Sequence, residues 1–348
     1  MKPDWLKVMV GKLPLPNDTL ERCQLLEFAD SHHVLGQVAA VWAPSVNGKT
    51  YDVLNNGLYR ASFDHGMLRF EMGRIERAFI GSGIEPILLK GASYVAKGLK
   101  AGEGRRVSDI DILVSEEDLV EVERLLLAAG WAFDEATNNE YDQNYYRTYM
   151  HELPPLRHNL RRTVIDVHHR ILPRTSRVGV NSAAFISGAI KLPGHNLKVL
   201  TEIDTFLHSA IHTFADGSLD TPARSFIELH YLFADIPVAE HQALLERAHI
   251  VGAEMPLAAA LWGLKAYFSN EQAQDLLSDF KLGVNPIVCW AYMHKLENVS
   301  TAKLAKLLLY IRSHYLRMSL PRLTWHILTK SYKRLTQRPN LPLPPGFE

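Results

Sequence analysis

The sequence has no surplus charge of either sign. Its 348 residues include 38 lysines and arginines against 38 aspartates and glutamates, a formal net charge of zero. Long-range attraction to nucleic acid or to an anionic membrane is therefore not expected of the whole molecule. Cysteine is almost absent. Cys23 and Cys289 lie far apart and form no ligand-like pair, which fits a reducing compartment. No apolar run approaches the ~20 residues that a membrane-spanning helix needs. The opening Met1-Lys2-Pro3-Asp4-Trp5 lacks the apolar core of a signal peptide. Internal repeats and low-complexity tracts are missing as well. These absences predict a soluble, cytoplasmic protein without a membrane partner. A chain of this length buries about three quarters of its unfolded surface, so its core needs no covalent staples.

Against that background, Arg105-Arg106-Val107-Ser108-Asp109-Ile110-Asp111-Ile112-Leu113-Val114 stands out. Two aspartates one residue apart sit in an apolar run that reads as a buried strand. Strand side chains alternate, so Asp109 and Asp111 share one face while Ile110 and Ile112 take the other. By the same parity Ser108 faces away from the aspartates. Two carboxylates that close disfavour joint ionisation, and burying them unpaired costs several kcal/mol. A divalent cation removes both problems, and Mg²⁺ in phosphate chemistry is held by one or two carboxylates plus substrate oxygens. An exposed pair on an edge strand is the alternative, but the flanking residues are too apolar for an edge.

Two further stretches fit the same picture. Thr163-Val164-Ile165-Asp166-Val167-His168-His169 is another apolar strand with one acid at its middle and His168 on that acid's face. Gly81-Ser82-Gly83-Ile84-Glu85-Pro86-Ile87-Leu88-Leu89 leads by a short strand into Lys90-Gly91-Ala92-Ser93, where a helix begins. Such a turn brings backbone N–H groups and a hydroxyl to a triphosphate at the helix N-terminus, and Lys90 can neutralise phosphate charge. Strand, glycine turn, helix start, an Asp-x-Asp strand, then a strand with a lone Asp: this order resembles the polymerase-β-type nucleotidyltransferase superfamily. The wording of the three motifs is most similar to its poorly characterised bacterial branch. The likeness spans roughly residues 80 to 170.

The resemblance implies an α+β fold, with a small mixed sheet flanked by helices and helical regions at both ends. It also implies transfer of a nucleoside monophosphate from an NTP, ATP among them, to an unidentified small-molecule or protein acceptor, with release of pyrophosphate. Two Mg²⁺ ions, or Mn²⁺ in their place, would be the cofactors. In the family the first two acids bridge both ions and the third binds the catalytic one, roles that carry over to Asp109 and Asp111, and then to Asp166. Lys90, Gly91, Ser93, Arg105, Arg106, Ser108 and His168 would hold the nucleotide. The superfamily has Gly-Gly or Gly-Ser at the turn; here Ala92 follows Gly91, and the serine comes one place later. His208 and His212, four apart on a helix, would border the cleft, and Arg224 and Glu228 would pair or face it. Two rival readings remain. One is a nucleotide-binding or partner-binding module on this fold without catalysis. The other is a zinc hydrolase using His208, His212 and an acid.

The rest of the chain frames that core. Residues 1–80 read as a helical lead-in capped near Asn17 or Asp18, with Arg60, Arg69, Arg74 and Arg77 on solvated faces. The core covers 81–199, with a helix over 115–129 that starts at Ser115 and stops at Gly130. Strands are expected over 131–135, 145–152 and 164–171, and the basic turn between the last two could hold phosphates. Residues 200–335 read as helical, and the proline-dense 336–348 as an irregular tail.

Overall fold

Short β-branched and apolar runs build a seven-stranded mixed sheet: β1 Ile87–Leu88, β2 Asp109–Leu113, β3 Trp131–Phe133, β4 Leu156–His158, β5 Val164–His168, β6 Ile190–Lys191 and β7 Lys198–Val199. The computed structural model describes residues 4–134, 137–216, 222–279, 283–297 and 302–317. Strand order is β3-β4-β5-β2-β1-β7-β6, which puts the Asp-x-Asp strand at the centre and not at an edge. β2 runs parallel to β5 and antiparallel to β1. This is the α+β architecture that the motif order implies.

The faces of the sheet divide as strand parity requires. Ile110 and Ile112 pack with Ile165, Val167 and Leu88 against the long helix Gly48–Ala78 and the helix Leu119–Ala128, through Leu68, Met72, Ile75, Val122 and Leu126. Leu113, on the aspartate face, belongs instead to a second apolar cluster with Tyr94, Phe206 and Phe226. That cluster also includes Trp5, Leu25 and Val38, so helices from both ends of the chain share one core.

Several local expectations hold. Asp18 caps the helix Thr19–Ser31 by accepting the Glu21 N–H at 2.8 Å, and Thr201 caps Glu202–Ile211 through the Asp204 N–H. After Ile211 the helix loosens into a π-helical turn, His212–Asp216. The helices Pro222–Ala234, Glu254–Phe268 and Ala302–Arg317 fall in the stretch expected to be helical. Among the described residues no helix is long and apolar enough to cross a membrane.

Others differ, each for a local reason. Residues 140–149 form a helix, not a strand: the Asn139 side chain accepts the Asp142 N–H, and Arg147 pairs with Glu123 on the neighbouring helix. These polar contacts outweigh the β preference of the tyrosines. Ser115 closes a turn with Asp118, and the helix proper starts at Leu119. β6 and β7 have two residues each, too few to show alternation. In the basic turn, Arg157 pairs with Asp134, and Arg161 pairs with buried Glu71 while lying over the Trp131 ring. The tail 336–348 lies outside the described residues.

Candidate active site

The site begins with register. In the parallel β2–β5 pair, Asp111 stands directly opposite Asp166 and Leu113 opposite His168, so strand parity gathers Asp109, Asp111, Asp166 and His168 on one face. Asp111 is only 3% exposed and sits at the centre of the polar contacts. Lys90 Nζ donates to its Oδ1 at 2.7 Å, and His168 Nε2 lies 2.9 Å from the same oxygen. Lys90 reaches it because the Leu89 N–H bonds the Asp111 carbonyl at 3.0 Å, ending β1 just beside the acid. The next residue turns sharply: Lys90 has φ +47°, a left-handed conformation that costs a non-glycine residue about 1–2 kcal/mol. Strain of this kind persists where the surroundings over-determine the backbone, as at functional sites.

Gly91 is required for a different reason. A Cβ there would lie 1.9 Å from Arg105 Nη1 and 2.5 Å from its Cζ, because the guanidinium packs on the turn. Arg105 is buried. Its Nε donates to Glu228 Oε1 at 2.8 Å, its Nη1 to the Arg106 carbonyl at 3.0 Å, and it lies 5.7 Å from the Tyr94 ring centroid. Glu228 comes from the helix Pro222–Ala234, and Arg224 of the same helix is 3.7 Å from its carboxylate. Gly91→Ala is therefore expected to destabilise the protein by about 1–3 kcal/mol, the usual cost of overpacking. A urea midpoint equal to wild type would contradict this.

A cleft of about 190 Å³ opens beside these groups. Lys90, Arg105, Arg106 and Arg224 line it together with Asp109, Asp111 and Glu228. Ser108 lines it too, which corrects the parity expectation: the strand starts at Asp109, so alternation does not reach Ser108, and its hydroxyl donates to Asp109 Oδ1 at 3.0 Å. Arg106 pairs with Asp64 of the long helix. Ser93 does not line the cleft; its side chain is buried and its Oγ has no hydrogen-bond partner. His208 and His212 do border the cleft. The arginines 60, 69, 74 and 77 do not.

A family model described as an uncharacterised nucleotidyltransferase matches residues 18–269, a span that includes every residue of this site. The chain belongs to that nucleotidyltransferase family. A comparison with curated proteins finds no match.

In this nucleotidyltransferase family member the titration behaviour of the carboxylates is set by their crowding. Burial alone would raise Asp111, but the Lys90 charge and the His168 hydrogen bond hold it well below the usual carboxylate range. Burial likewise would lower Lys90, and the Asp111 charge more than offsets it. Asp166 goes the other way, raised from 3.8 to about 7 by burial first and then by the charges of Asp111 and Glu152. Its Oδ1 is buried without a hydrogen-bond partner. His208 is lowered to about 3 by burial and then by the Lys90 and His168 charges, so it stays neutral. Acceptor-only oxygens in excess, one of them orphaned, are the donor chemistry that a hard divalent cation satisfies. Asp109, Asp111 and Asp166 thus fit such an ion. His208 and His212 belong to no metal-sized cluster among the described residues.

Asp166 has a measurable consequence in metal-free protein. The folded state keeps its proton to about pH 7, whereas the unfolded chain releases it near pH 4. Between those values the folded state holds the extra proton, so this group's contribution to stability falls as pH rises. Asp166→Asn is expected to melt above wild type in EDTA, by about 1 kcal/mol or more at neutral pH. The advantage should grow from pH 4.5 to pH 7 and then level off. A gap independent of pH would contradict it.

Sequence reasoning missed Glu152, His151 and Tyr94. Glu152 reaches the site through an isolated bridge to His168, a long-range pairing with no local signature.

Proposed function

We propose that this protein transfers a nucleoside monophosphate from an NTP to an acceptor hydroxyl, phosphate or amine and releases pyrophosphate. The observation that carries the reading is the register of Asp111 against Asp166, with Asp109 on the same face, beside a cleft lined by Lys90, Arg105, Arg106 and Arg224. Asp109, Asp111 and Asp166 would hold one or two Mg²⁺ ions, with Mn²⁺ as a substitute. Bound there, such ions neutralise charge on the triphosphate and lower the pKa of the attacking group. The rest of the work is positioning and electrostatics, as phosphoryl-type transfer requires. Arg105 is held rigidly by Glu228 and aimed over Gly91, so it meets the phosphates without losing side-chain freedom. Lys90, which donates to Asp111 and lines the cleft, would neutralise charge on the phosphates. Neutral His208 closes the cleft wall without adding a competing charge. The balanced net charge favours a small-molecule or protein acceptor over nucleic acid.

A second reading, a nucleotide-binding module that does not turn over, is favoured by one observation: Lys90 and His168 already neutralise Asp111. Calorimetric titration of the four NTPs with Mg²⁺, followed by pyrophosphate release in cell extract, separates the two. Metal-dependent binding with pyrophosphate release supports transfer. Binding without release over a broad acceptor screen supports the module. Binding of no NTP would overturn both.

A further inference from the structure

We propose that His151, Glu152 and His168 form a second cation site, selective for an imidazole-seeking divalent ion such as Zn²⁺, Co²⁺ or Ni²⁺ over Mg²⁺. It adjoins the carboxylate site and does not rest on the transferase reading. None of the three residues lines the cleft that holds Lys90 and Arg105.

The backbone assembles the set. Glu152 pairs with His168 across an antiparallel bridge, fixed by Leu153 N–H to the Val167 carbonyl and His169 N–H to the His151 carbonyl, each at 2.9 Å. The three ligand atoms then fall within 4.8 Å of one another. His168 Nε2 is 3.5 Å from Glu152 Oε2, and His151 Nε2 is 4.0 Å from the same oxygen. A tetrahedral ion with bonds of about 2.1 Å spaces its ligand atoms about 3.4 Å apart. The first pair is therefore already in place, and His151 has about half an ångström to close toward Glu152 and at most about 1.4 Å toward His168. His168 Nε2 also lies 2.9 Å from Asp111 Oδ1, which belongs to the carboxylate site and not to this ligand set, so the ion takes the place of the proton that His168 now shares with Asp111. Both histidines are buried, whereas the Glu152 side chain is 20% exposed and leaves a way in. Mg²⁺ prefers oxygen donors and near-ideal octahedra, while two imidazoles with a carboxylate suit later transition ions.

The test is a Co²⁺ titration of the metal-stripped full chain, read by visible ligand-field absorption. Wild type is expected to show one saturable site with the intense bands of a tetrahedral, nitrogen-ligated ion, undisturbed by excess Mg²⁺. Asp109→Asn should keep the bands. His151→Gln should lose them, and Glu152→Gln should weaken binding at least tenfold to a hundredfold, since even indirect partners of a ligand cost that much. If His151→Gln fails to fold, the partly exposed Glu152→Gln decides, together with a Zn²⁺-dependent rise in Tm present in wild type and absent from that variant. Absent bands, bands that survive Glu152→Gln, or bands lost in His208→Gln instead would overturn the proposal. The transferase reading stands or falls separately, on NTP binding and pyrophosphate release.

Discussion

Asp109→Asn is expected to lower pyrophosphate release by about a thousandfold or more, which corresponds to about 4 kcal/mol of transition-state stabilisation. The amide keeps the shape of the side chain and can still accept from the Ser108 hydroxyl. Asp109 is also only partly buried, so its charge contributes little to folding. What the substitution removes is one of the three anionic ligands proposed for the metal. Tm should therefore stay within about 2 °C of wild type, the span of less than about 1 kcal/mol. Steady-state pyrophosphate release and a melting curve on the same preparation check both halves. Near-wild-type turnover would mean that Asp109 is not part of the catalytic set. Lost turnover with a collapsed melting curve would make it a structural residue.

Glu228→Ala is expected to have the largest effect on stability, about 3–5 kcal/mol, the usual cost of stranding a buried charge. Both side chains of the Arg105–Glu228 pair are 10% exposed, so losing the carboxylate leaves a largely buried guanidinium at the cleft wall. An arginine guanidinium stays charged in proteins, so Arg105 cannot escape by deprotonation once Glu228 is gone. Replacing both partners with apolar residues, Arg105→Met with Glu228→Leu, should recover most of that loss, because neither charge is then left without a counterion. NTP affinity should not recover, since the guanidinium proposed to meet the phosphates is gone. Urea denaturation and NTP titration of the single and double variants check this. Unchanged stability in Glu228→Ala would show that the pair is solvated in solution.

How much of this was legible in the sequence depends on the range of each interaction. The shared face of Asp109 and Asp111 and the placement of His168 on the face of Asp166 follow from two-residue periodicity, and the exclusion of an edge position follows from the apolar flanks of the strand. The clearance at Gly91 was legible as a glycine turn but not as a seat for Arg105, because the two residues are joined only by the fold. Glu228 was legible as a helix residue four places from Arg224, while its main partner, Arg105, lies more than a hundred positions upstream. Glu152 was hidden twice over: its stretch was read as a strand, and its partner His168 comes from β5. Ser108 failed for a simpler reason, since parity was extended one residue past the end of the strand.

The central claim is that this family member moves the nucleotidyl group and not the terminal phosphoryl group. The most direct measurement incubates the protein, Mg²⁺ and cell extract with the preferred NTP carrying its label on either the α- or the γ-phosphate. Transfer predicts that the α-label becomes attached to an acceptor while the γ-label leaves as pyrophosphate, with both events lost in Asp109→Asn. A γ-label that ends on the acceptor, or an α-label that stays wholly in free nucleotide, would contradict it.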